Sequence, residues 1–314
     1  MTGVSPIAAL GVSRRGAIIG AAAMGAALAT VPKLARAQSA SDIEALNFIL
    51  NLEYLLAQFA SAAVATVVPV DRLTGNDVAG TPVIPGRAVT FTDTALQSAI
   101  IEFAADSRNH LVPIRVIIGA LSVRQPLIDI SAGPNAPFSV AMQRAGVVAA
   151  GATFDPYASE ENFLYAMFLL KNISVAAYRG LAPTISNRVV LQNFTGILGT
   201  ESIHASVIRS YLYARGATTP RLRENAEKIA AFQRSLNGGQ AFLGVAPTTR
   251  GYPGSSSTGV VANLTPTQAN GEVAGRSAAQ TLNQLYLTSS SVTSGGFFPE
   301  GVNGTIRASA RASA

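Results

Sequence analysis

Apolar residues recur at spacings of three and four along four long stretches, each bounded by residues that start or stop helices. The first opens at Asp42, a candidate cap, and carries Asn47-Phe48-Ile49-Leu50-Asn51-Leu52-Glu53-Tyr54-Leu55-Leu56 on to about Val64. The second runs from Thr92 or Asp93 to about Leu121. In it Leu96, Ile100, Phe103, Ser107, His110, Ile114, Ile117 and Leu121 alternate steps of four and three, and Pro113 predicts a kink. Ser159 opens the third, with Glu160-Glu161 at its positive end and Asn162 where a full capping box would have Glu or Gln. It continues through Phe163, Met167, Leu170 and Ala177 to Gly180. The fourth starts near Thr184 or Ser186 and passes Leu191, Phe194, Leu198, Glu201, His204, Ile208 and Tyr211, until Gly216 and Pro220 stop it. Four such helices predict an all-α bundle.

The connections are long and broken by Pro and Gly. Residues 67–89, with turn signals at Gly75-Asn76-Asp77 and Pro85-Gly86, predict a crossover containing a short hairpin and joining parallel neighbours or opposite ends. A second broken segment, 124–157, holds one short helix from Ser139 to about Ala149. After a helix from Arg221 to Leu236 the composition turns to Gly, Ser, Thr and Pro, which predicts an irregular wrap over 237–275. A last helix spans Arg276 to Leu287. Beyond it, Gly295-Gly296-Phe297-Phe298-Pro299 pairs two phenylalanines that water would penalise, so they are expected to dock. The organisation is therefore a leader at 1–37, a helical bundle at 38–236 and a C-terminal extension packed on it at 237–314.

Composition sharpens this picture. With 48% apolar and 13% charged residues, the 314-residue chain can bury a large core. The formal charge of +6 suggests an anionic partner until its location is considered. Arg14, Arg15, Lys33 and Arg36 lie in the first 37 residues, which hold no Asp or Glu; beyond them nineteen basic residues face seventeen acidic ones. Nucleic-acid binding is not expected. Ser13-Arg14-Arg15-Gly16, an apolar run from Ala17 to Val31 and Ala35-Arg36-Ala37 resemble a twin-arginine export signal with its cleavage site. The run is too short and too rich in Ala and Gly for a stable membrane span. The mature protein is expected in the periplasm or secreted. No cysteine is present, so thiolate metal sites and cysteine nucleophiles are excluded.

Both histidines lie on apolar helix faces. Around His204, the residues three, four and seven away include Ile197, Thr200, Glu201, Val207, Ile208 and Tyr211, so Glu201-Ser202-Ile203-His204 projects a carboxylate and an imidazole into one seam. Glu53 is set similarly among Leu46, Ile49, Leu50, Leu56, Ala57 and Ala60. A buried carboxylate must be paired, protonated or metal-bound. Glu53, His110, Glu201 and His204 are thus the candidate metal ligands, a set suited to iron, manganese or zinc. Asp106, four residues before His110, reads as a surface aspartate near Arg108 or as a further ligand; Glu102 reads as solvent-facing; Tyr54 and Tyr178 read as packing residues or hydrogen-bond donors to the carboxylates.

The first-helix segment, the His110 helix, Ala177-Tyr178-Arg179-Gly180, Glu201-x-x-His204 and Gly295-Gly296-Phe297-Phe298-Pro299-Glu300-Gly301-Val302-Asn303-Gly304 together resemble exported ferritin-like domain proteins of the desiccation-related type, over about residues 42–307. The resemblance implies a ferritin-like four-helix bundle with long crossovers. Its di-metal site would take one Glu from each of two helices and a Glu-x-x-His pair from each of the other two. Glu53 matches the glutamate of the first helix, His110 the histidine of the second, and Glu201 with His204 the pair of the fourth. Two positions depart: Ser107 stands where the second helix should supply Glu, and Lys171, before Asn172, where the third should. The expectation is a degenerate site without a bound cofactor, in which Lys171 pairs with Glu53 and Glu201, and a non-catalytic structural or stress-associated role. The alternative is a metal-binding protein or oxidase using the residual two-Glu, two-His set; an adhesion role for the wrap rests on composition alone. A homo-oligomer is compatible with the sequence.

Overall fold

The computed structural model describes residues 39–74, 83–236, 242–251, 258–268 and 270–311. The leader at 1–37 and the turn signal Gly75-Asn76-Asp77 lie outside the described residues. In chain order the helices are α1 (Ala40–Ala63), α2 (Asp71–Thr74), α3 (Thr94–Ile118), α4 (Pro137–Arg144), α5 (Glu160–Leu181), α6 (Arg188–Arg215), α7 (Arg221–Ser235) and α8 (Ala278–Leu285). The strands are β1 (Val83–Ile84), β2 (Ile128–Asp129), β3 (Thr248–Gly251) and β4 (Thr258–Val261). Among the described residues no helix is long and apolar enough to cross a membrane.

Side-chain caps set the ends of the long helices, and two of them differ from the predicted ones. Ser39, not Asp42, caps α1 through its hydroxyl and the Asp42 amide. The Asp42 carboxylate instead accepts from the backbone amides of Ser186 at 2.7 Å and Asn187 at 3.1 Å, tying the start of α1 to the start of α6. Burial pushes the Asp42 carboxyl up, but the Ser186 and Asn187 bonds outweigh it and hold it below the usual range. Asn187 caps α6, so that helix begins later than Thr184 or Ser186; the residues between form a 3₁₀ turn, Ala182–Thr184. Asp93 and Ser159 cap α3 and α5 as predicted. The α3 helix continues through Pro113 to Ile118 and closes in a 3₁₀ turn, leaving Leu121 63% exposed rather than in the stripe. The short helix starts before Ser139 because Pro137 occupies its first turn, and it stops at Arg144, ahead of Gly146 at φ +72°.

The helices α1, α3, α5 and α6 form the bundle, with α1 packed chiefly on α3 and α5 on α6. Cross-helix partners fix the directions. Asn47 meets Leu121 and Glu53 meets His110, so α1 and α3 are antiparallel. Lys171 meets Glu201 and Tyr178 meets Phe194, so α5 and α6 are antiparallel too. The connection after α1 therefore does not join parallel neighbours: it loops back, and the Val89 amide bonds the Ala63 carbonyl. The parallel step is the second one, from α3 to α5, which needs the whole of 119–159 to return along the bundle. The predicted hairpin in 67–89 is replaced by a long-range parallel pairing of β1 with β2. In the C-terminal wrap, expected to be irregular, β3 and β4 pair as an antiparallel ribbon.

The end of the chain is part of the core. Phe297, Phe298 and Val302 are fully buried, and Phe138 meets Phe297 edge-on at 4.9 Å. Asn51 donates to the Asn303 carbonyl and accepts from the Asn303 amide, so the tail is bonded to the middle of α1. At Gly180 a Cβ would lie 1.9 Å from the Arg276 carbonyl oxygen, so only glycine lets the chain leading into α8 lie on α5.

Candidate functional site

Each bundle helix delivers its polar residues to one point in the middle of the core. On α6, Glu201 and His204 are three apart; on α5, Lys171, Ser174 and Tyr178 fall at steps of three and four; α3 supplies Ser107 and His110; α1 supplies Glu53. Glu53, Ser107, Ser174, Tyr178 and Glu201 are fully buried, and Lys171, His204 and His110 nearly so.

Lys171 Nζ lies 2.8 Å from each oxygen of Glu201 and 3.3 Å from His204 Nδ1. Ser174 Oγ donates to Glu201 Oε2 at 2.5 Å. Glu53 accepts from Tyr178 at 2.7 Å and faces His110 Nδ1 at 3.2 Å; His110 Nδ1 is also 3.8 Å from Glu201 Oε1. Burial pushes the Glu201 carboxyl up, yet the Lys171 ammonium and the histidines overcome it and hold it well below the usual carboxylate range. For His110, burial lowers the pKa, but the Glu53 carboxylate, helped by Glu201, raises it more, so the imidazole is held above its ordinary value. Burial and the facing Glu53 push the Tyr178 hydroxyl well above 10. Tyr178 therefore keeps its proton and donates a hydrogen bond to Glu53.

The four sequence-derived candidates converge, but not equivalently. One ligand atom each from Glu53, His110 and Glu201 lies within a common 4.8 Å, a spacing that admits a single ion. His204 turns its Nε2 outward to Asp106 Oδ2 at 3.1 Å and stacks on Phe103 at 3.9 Å between centroids. Asp106 is thus neither a plain surface residue nor a stand-in for a fourth carboxylate: its side chain, 43% exposed, links His204 to solvent. Glu102 is exposed as expected. Tyr54 lies outside the site, bonding the Val123 carbonyl and receiving Arg115. Asn172 points away and donates to Gln233. Ser174 carried no sequence signal beyond its place three residues after Lys171.

A two-metal centre does not fit these residues. Among the described residues only two carboxylates, Glu53 and Glu201, reach the point, both Glu201 oxygens are held by an ammonium, and the Ser107 hydroxyl, where a third carboxylate would have reached, is buried without a hydrogen-bond partner. A cation is already supplied by the chain itself.

A family model described as "Ferritin-like domain" matches residues 41–214. The ferritin-like catalase Nec2 of Nesocodon mauritianus is 26% identical over 269 residues, covering 85% of both chains. Desiccation-related protein PCC13-62 of Craterostigma plantagineum is 27% identical over 197 residues, which is 63% of this chain and 60% of that protein. No solved structure matches the chain.

Proposed function

The chain belongs to the ferritin-like domain family, and from that premise we propose that it is a bundle in which a lysine has taken the place of a metal, giving a non-catalytic structural or stress-associated protein. The observation that carries this reading is the buried Lys171–Glu201 pair, with 2.8 Å to both carboxylate oxygens. A cation bonded to both oxygens of the one complete Glu-x-x-His pair competes directly with metal binding there. The residues that would bridge a second ion are a serine and that same lysine.

Elemental analysis of the purified protein tests it, with Lys171→Glu plus Ser107→Glu alongside. The expected outcome is an empty natural protein and about two metals per chain in the double variant. Stoichiometric iron, manganese or zinc in the natural protein would overturn the reading.

A second reading is favoured by one observation, the 4.8 Å cluster of Glu53, His110 and Glu201, together with likeness to a protein named a catalase. On it, these three residues hold one ion and the protein is a metal-dependent oxidase or catalase. Oxygen release from hydrogen peroxide by metal-loaded protein, lost in Glu53→Gln, would establish that reading and remove the first.

We also read residues 1–37 as an export leader. Replacing Arg14 and Arg15 by Lys is expected to leave the uncleaved precursor inside the cell, as immunoblots of fractionated cells would record.

A further inference from the structure

Under the C-terminal segment, α5 and α6 leave a cleft of about 180 Å³, open to solvent on one side. Val175, Ala176, Ala205, Phe242, Leu264 and Val273 make its walls apolar. Two cations also line it, Lys171 and Arg209, each only 1% exposed. They differ in what they meet. The Lys171 ammonium has three neighbours for its three protons: two Glu201 oxygens and His204 Nδ1. Arg209 gives both terminal nitrogens to one acceptor, the Leu243 carbonyl, at 2.9 and 2.6 Å, and its Nε finds no hydrogen-bond partner among the described residues.

Arg209 also lies over the Phe168 ring, 4.9 Å from guanidinium carbon to centroid. Burial pulls this guanidinium down to about 9, and attraction to Glu227 offsets that only in part; no carboxylate is within hydrogen-bond distance of it among the described residues. A buried guanidinium with five N–H donors and one carbonyl acceptor is short of negative charge, and a carboxylate is the ligand group that best matches its fork. Apolar walls with a few fixed polar groups are the composition of a small-molecule pocket.

We propose that this cleft binds a small monocarboxylate with an apolar tail, the carboxylate on Arg209 and the tail along Val175, Phe242 and Leu264. The assignment is independent of whether the core holds a metal, since none of the groups that would contact the ligand is a candidate metal ligand.

Calorimetric titration of the full chain with decanoate, decanol and decylamine tests it. Decanoate is expected to bind once per chain and at least about tenfold more tightly than decanol, with decylamine weaker still. Val175→Trp fills the cleft from a half-buried position and should abolish binding of all three while leaving the thermal transition in place. Arg209→Met should bring decanoate down to the level of decanol; where that variant fails to fold, the ligand ranking and Val175→Trp decide. Decanol matching decanoate, decanoate binding unchanged in Val175→Trp, or no decanoate heat at millimolar concentration would each overturn the proposal.

Discussion

Lys171 carries a four-carbon stem from α5 into the bundle core and ends on both oxygens of Glu201, in a place where both charges are almost wholly buried. Removing one member of such a pair strands the other. Lys171→Met is therefore expected to cost about 3–5 kcal/mol in urea unfolding, and Lys171→Met with Glu201→Leu to recover most of it, because two apolar side chains leave no stranded charge. Asp42, also buried, makes a pH-dependent contribution at the start of α1. Its folded pKa lies below its ordinary 3.8, so the stability it gives is complete above that value and is lost as pH falls through the folded one. The gap in urea midpoint between wild type and Asp42→Asn should be present at neutral pH and close in strong acid. Convergence of Glu53, His110, Glu201 and His204 was legible in the sequence because polar residues in an apolar stripe have one place to go. The Asp106–His204 bond and the Ser174 hydroxyl were not, since an exposed aspartate and a helical serine look the same whether or not a partner stands opposite.

The helices themselves followed from periodicity and caps, and their errors have a common cause. Asp42 and Ser186 are both good caps by residue type, but the Asp42 carboxylate is used across the bundle to hold the Ser186 and Asn187 amides, which leaves Ser39 and Asn187 to do the local capping. Local rules cannot separate a cap for one helix from a clamp on another. The β1–β2 pairing and the β3–β4 ribbon were missed for a related reason: each of the first two strands is two residues long and has no alternation to read. Gly180 on α5 is a sharper case. A helix interior normally gains from Gly→Ala, yet here the added methyl would meet the Arg276 backbone, and Gly180→Ala is expected to lower stability by about 1–3 kcal/mol instead of raising it. Comparing its thermal transition with that of Gly199→Ala, whose added methyl meets nothing within 4 Å, isolates the clash.

For the molecule as a whole, the antiparallel pairs α1–α3 and α5–α6 are joined by one long return, and the last residues seal the assembly. The reciprocal bonds between Asn51 and Asn303 span 252 positions of sequence. A chain is made from its beginning, at about 5–20 residues per second, so α1 waits roughly 10–50 s after its own synthesis for the segment that completes its surroundings. During that interval Asn51 lacks its Asn303 partner and the pocket for Phe297 stands unfilled. Premature termination near the C-terminus would yield not a slightly shorter protein but one whose oldest helix is never finished, and the time needed to translate the gene becomes a lower limit on the time needed to fold it.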